Sequence, residues 1–253
     1  MKNYAYVGCS ILTDEVCSLA RHAESLVDLR FIPAGFHEQP GVMRKIIQEE
    51  IDRIEEWNLL KKKSPTTYQT YDAILLGFGL CERSAIGLHA KSLPLVVPKA
   101  HDCITILLGS KERYLKYTAT NSTTFWYSPG WIERMLPPGP DREMLLAELY
   151  SRKYDPSEVE FLLESERMWQ KKYQQAVFIN WNLPHNNKNR RYVRHCARHL
   201  NWNYTELQGD PGLLKDLLAG NWDEERFLVL KPGEEIEASY DDGIMKAANS
   251  KEN

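Results

Sequence analysis

Two short runs, YDAILLGFGLC at residues 71–81 and LPLVVPKAHDC at residues 93–103, are apolar at nearly every position rather than at alternate ones. Strands buried on both faces read this way, and such strands belong to parallel sheets covered by helices. The neighbouring segments agree. YAYVGC at residues 4–9 predicts a first strand, and Thr13 caps a predicted helix over residues 14–22. LVDLRFIPAGFHEQP predicts a second strand ending near Ile32, followed by a loop. Met43, Ile46, Ile47, Ile51, Ile54 and Trp57 then recur at helical steps. The alternation predicts an α/β fold: a mostly parallel, Rossmann-like sheet with helices on both faces.

Further along, ITILLGSKERYL reads as one helix and TTFWYSPGW as a short strand and turn. The PPGP at residues 137–140 breaks the pattern. Two heavily charged helices, near 141–153 and 156–175, read as a helical insertion able to pack as a hairpin. Alternation resumes with AVFINWN, NRRYVRHCARHL and NYTELQ. GDPGLLKDLLAGNW predicts a helix with Asp210 as N-cap and Pro211 at its first position. RFLVLKPG is the last predicted strand, and the polar tail from Ala238 is expected to fray. The expected division is 1–136, an α/β part; 137–175, helical; 176–237, a second α/β part; and 238–253, a flexible tail. Two α/β halves and one extended sheet both fit.

A net charge of −3 gives the chain no pull toward nucleic acid or an anionic membrane. No apolar run approaches the roughly 20 residues of a membrane span, and the N-terminus reads as a strand rather than a signal peptide. Five cysteines, an odd number and widely spaced, argue against a disulfide framework. The expectation is a cytoplasmic protein with reduced thiols.

Three of those thiols share a position. Cys9 ends the first predicted strand, Cys81 follows the third, and Cys103 follows the fourth at a helix start. In a parallel sheet these are all at the carboxyl edge, where open α/β proteins bind ligands. With Asp102 as N-cap, Cys103 would lie in the field of a helix N-terminus, which favours a thiolate. Gly8, Gly77 and Gly79 would let backbone approach a ligand. His37, Glu38, Arg83, His101 and Asp102 are the candidate orienting, proton-transferring or anion-binding groups, with Lys99 and Arg113 weaker ones. Cys17 and Cys196 read as core residues. For the other three, simple burial is the bland alternative. Lys188, Arg190, Arg191, Arg194 and Arg198 read as a solvated basic helix face, and Phe125, Trp126, Tyr127 and Trp131 as core packing or a pocket wall. No phosphate-loop or dinucleotide motif is present.

The blocks VGCSILTDEV, FHEQP, GLCERSAIGL, HDCITILLGSKERY and SPGW, with the later GDPGLLKDLLAGNWDEERFLVLKPG, resemble those of an uncharacterised prokaryotic family, domain-of-unknown-function family 1638. The resemblance brings no established reaction. It implies that Cys9, Cys81 and Cys103 lie in signature blocks while Cys17 and Cys196 do not. It also implies an anaerobic setting that suits an oxygen-sensitive cluster. In layout only, the three cysteines are similar to those of quinolinate synthase and the thiouracil desulfidases, which hold a [4Fe–4S] cluster with one open iron.

The functional expectation is a metal-dependent enzyme. Cys9, Cys81 and Cys103 would hold a [4Fe–4S] cluster whose open iron takes a small anionic substrate, for lyase, hydratase or desulfidase chemistry. One alternative is zinc held by three cysteines and His37 or His101, in one-carbon metabolism with a corrinoid or methyltransferase partner. Another is a non-catalytic carrier of a metal or metabolite.

Overall fold

Both opening runs form strands of one mixed sheet. The computed structural model describes residues 1–36, 39–63, 69–239 and 244–249. The described residues form two compact units, one of residues 1–114 with 210–253 and one of residues 115–209. The chain thus leaves the first unit at Leu115 and re-enters it at Asp210, away from the boundaries drawn near 136 and 175.

In the first unit, β1 (Asn3–Cys9) leads through a 3-10 turn at Ser10–Leu12 into α1 (Thr13–Ala20). β2 (Leu26–Ile32), α2 (Pro40–Lys62), β3 (Ala73–Gly77) and β4 (Leu95–Pro98) follow. α3 (Cys103–Leu108) then starts, and α4 (Lys111–Thr118) leads out of the unit. The single helix expected over residues 104–115 is therefore two. Gly109 ends α3 in the left-handed conformation, which glycine adopts without a Cβ penalty. After re-entry come α9 (Gly212–Ala219), β8 (Phe227–Leu230), β9 (Glu234–Ala238) and β10 (Met245–Asn249). The strand order is β2-β1-β3-β4-β8, parallel except for β8. β9 and β10 pair as an antiparallel hairpin, so the tail expected to fray from Ala238 carries a strand at residues 245–249. Every residue of β3 and β4 is buried, as their unbroken apolar runs require.

The second unit holds β5 (Thr124–Tyr127), α5 (Pro129–Arg134), α6 (Arg142–Ser151), α7 (Pro156–Gln170), β6 (Gln175–Asn180), α8 (Asn186–Leu200) and β7 (Asn203–Gln208). Its sheet is parallel, in the order β5-β6-β7. The fold is α/β, with helices packed around a mostly parallel sheet in the first unit and a parallel sheet in the second. Phe125 packs edge-on against Tyr127, Trp169 and Tyr173, and Tyr127 and Cys196 are fully buried, so this aromatic cluster is core. The basic face of α8 is largely engaged. Arg190 pairs with Glu206, Arg191 donates to the Asn187 carbonyl, and Arg194 lies over the Tyr204 ring.

Candidate functional site

The order β2-β1-β3-β4 carries a topological switch point. From β1 the chain turns to one side to reach β2, and it later crosses to the other side of β1 to lay down β3. At such a point the loops beyond the carboxyl ends part, leaving the crevice in which open α/β sheets bind ligands. Cys9 is the last residue of β1. Cys81 lies four residues beyond the end of β3, and Cys103 is the first residue of α3.

The loop holding Cys81 is built against the one leading to Cys103. The Leu80 and Cys81 amides donate to the carbonyls of Ala100 and His101, at 2.8 and 2.9 Å. Gly79 permits this approach. A Cβ there would fall 2.7 Å from the Asp102 amide nitrogen and 2.8 Å from the Ala100 carbonyl oxygen. Asp102 caps α3 as expected, its Oδ1 accepting from the Thr105 amide and hydroxyl.

Cys81, Glu82 and Arg83 all have positive φ, at 45, 53 and 70°. Three consecutive left-handed non-glycine residues cost on the order of 1 kcal/mol or more each. The turn is held by the Ser84 amide and hydroxyl, which both donate to the Cys81 carbonyl, and by Arg44 of α2, whose Nη2 donates to the Arg83 carbonyl. Strain of this kind persists only where the surroundings over-determine it, and it concentrates at functional sites.

Cys9, Cys81 and Cys103 are all buried. Burial, and then the nearby charge of Cys9, push the Cys81 thiol up to about 12. Asp102 and Glu82 add to the rise, opposed by a backbone hydrogen bond at Gly79. Cys9 and Cys81 are therefore electrostatic neighbours, and a thiolate at Cys81 calls for a compensating cation. Among the described residues, no group of three His, Cys, Asp or Glu side chains is arranged to hold a single metal ion.

Two buried residues that the sequence reading passed over, Tyr6 and Glu15, lie close to each other, and Tyr6 lies close to Cys9. Tyr6 is fully buried and packs on Phe31. Its ring lies over Gly8 and Gly77, which face each other across β1 and β3. A Cβ on Gly8 or Gly77 would strike the Tyr6 hydroxyl, so these glycines make room for Tyr6 rather than for a ligand. That hydroxyl has no hydrogen-bond partner among the described residues. Burial, with the charges of Cys9, Glu15 and Cys17, raises its pKa well above the ordinary value. Glu15, on α1, is a fully buried carboxyl. The available signal was spacing. Tyr6 and Gly8 are two apart on a strand and so share a face.

The other expected site residues fare differently. His37 and Glu38 lie outside the described residues. The His101 ring is exposed and tilts toward Tyr114, while its carbonyl receives the Cys81 amide. Arg83 is exposed, and its carbonyl anchors the left-handed turn. The weaker anion candidates are engaged locally, Lys99 on the Glu224 carbonyl and Arg113 on the Leu108 carbonyl. Cys17 is half-buried on α1, and Cys196 lies in the core of the second unit.

The family described as "Protein of unknown function (DUF1638)" matches residues 31–218. The matched span contains Cys81, Cys103 and Cys196 and begins after Cys9 and Cys17. No curated protein and no solved structure matches the chain.

Proposed function

The chain belongs to the DUF1638 family, and we propose that it is a metal-dependent enzyme in which Cys9, Cys81 and Cys103 hold a [4Fe–4S] cluster. The observation that supports this reading is the switch point between β1 and β3, beyond whose carboxyl ends open α/β sheets bind ligands. Cys9 and Cys81 lie at that edge, and the backbone clamp around Gly79 ties the Cys103 loop to Cys81. Zinc held by the same three cysteines with His37 or His101 is the alternative reading, and the metal analysis below separates the two.

When bound, a cluster with three protein ligands supplies one open iron able to act as a Lewis acid on a small anionic substrate. The remaining chemistry belongs to the chain. The three thiols give up protons on loading, so loading is favoured as pH rises. The left-handed turn at residues 81–83 fixes the Cys81 backbone, and the Asp102 cap fixes the start of α3. The buried walls of Tyr6 and its neighbours exclude water. The Tyr6 hydroxyl is a buried proton donor without an acceptor among the described residues, which suits it to hydrogen-bond a bound oxyanion. Lyase, hydratase and desulfidase chemistry all fit these parts.

Metal analysis of protein prepared without oxygen tests the reading. The expected result is iron and acid-labile sulfide in equal amounts, about four of each per chain, with broad visible absorbance. Stoichiometric zinc without iron, or colourless protein after anaerobic reconstitution, would refute it.

A further inference from the structure

α6 and α7 form a helical hairpin, yet each contributes one buried residue, Leu146 and Leu163 respectively. A helix packed along its length buries three or four residues per two turns. Ion pairs across the hairpin, Arg142 with Glu166 and Arg167 with Glu143, hold the two helices together. Large apolar side chains meanwhile stay in solvent. Phe161 is 71% exposed and Met168 53%. At 100° per residue, Glu158, Phe161, Ser165, Met168 and Lys172 fall on one stripe of α7 and the turn that closes it, opposite Leu163.

That stripe is complementary to itself. Read from either end toward Ser165, it presents a charge, then a large apolar side chain, then a small residue at the centre. We propose that this face of α7 is a homodimer interface whose occupant is a second copy of the chain. The two α7 helices run antiparallel about a two-fold axis beside Ser165. This sets Phe161 against the partner's Met168, and Glu158 against the partner's Lys172. Ser165, whose short side chain bonds back to the Phe161 carbonyl, lets the two helices approach at the axis. A C2 contact of this kind uses one patch on both subunits, and opposite charges at its two ends fix the antiparallel sense.

Sedimentation of the full chain over a range of concentrations, with two variants, tests this. The wild type should show a reversible monomer–dimer equilibrium. Phe161→Glu should weaken it at least tenfold, while its circular dichroism melt at concentrations where both proteins are monomeric matches the wild type, because in the monomer the side chain is in solvent. Ser165→Cys should give a covalent dimer on mild oxidation, since the axis brings the two substituted positions together. Ser151→Cys, on exposed α6, should not. A wild type that stays monomeric throughout, an unaffected Phe161→Glu, or equal crosslinking at both positions would overturn the proposal.

Discussion

At the residue scale, the site depends on what a single atom would meet. A methyl added at Gly79 would lie within 3 Å of three backbone atoms of residues 100–102, and backbone cannot swing aside as a side chain can. Gly79→Ala should therefore cost about 3 kcal/mol in urea unfolding. Gly41→Ala, whose methyl meets nothing, should cost nothing or stabilise α2. Equal effects at the two positions would mean that the clamp is not rigid. Cys81 gives a pH test. Its folded pKa, near 12, lies above its ordinary value, so burial favours the neutral thiol. The contribution to stability is whole below about pH 9 and is lost as pH climbs toward 12. In metal-free protein, the wild type should lose on the order of 2 kcal/mol more than Cys81→Ser between pH 9 and 11. Parallel stability curves would contradict that burial. The glycine at residue 79 was legible as a close-approach residue. What it approaches was not, because the contact joins residues more than twenty apart. Tyr6 was missed because a tyrosine in an apolar strand reads as core until its hydroxyl is found without a partner.

At the element scale, the strands were legible because burial on both faces leaves unbroken apolar runs, as in β3 and β4. The carboxyl-edge position of Cys9 follows from its place at the end of β1 in the same way. Elements set by backbone conformation were harder to read. Nothing in the residues CER announces three successive left-handed conformations, since none is glycine. Gly109, a residue type that commonly ends helices, stands inside ITILLGSKERYL, which was read as one helix. The β9–β10 pairing falls in a segment whose polar composition resembles a loose tail; a two-stranded hairpin alone is marginal, and this one is supported by the few apolar residues it buries, Ile236, Ile244 and Met245. The exposed stripe of α7 was hidden by its own charges. Glu158, Lys172 and their neighbours read as a solvated face until Phe161 and Met168 are seen standing in solvent among them.

At the scale of the whole molecule, the chain is two α/β units, with the second inserted between Tyr114 and Asp210 of the first. The sequence left open two halves or one extended sheet, because strand periodicity does not say which strands pair. Strand order decides where chemistry can sit. The switch point between β1 and β3 has Cys9 and Cys81 at its carboxyl edge, and the β4–α3 junction brings Cys103 to the neighbouring loop. No helix among the described residues is long and apolar enough to cross a membrane. The central claim is that three of the five cysteines form one cluster site and two do not. Iron incorporation after anaerobic reconstitution of the five single Cys→Ser variants tests it most directly. Cys9→Ser, Cys81→Ser and Cys103→Ser should each lose most of the bound iron and the visible absorbance, while Cys17→Ser and Cys196→Ser should load like the wild type. Iron retained in all three of the first group, or lost equally in all five, would contradict the account.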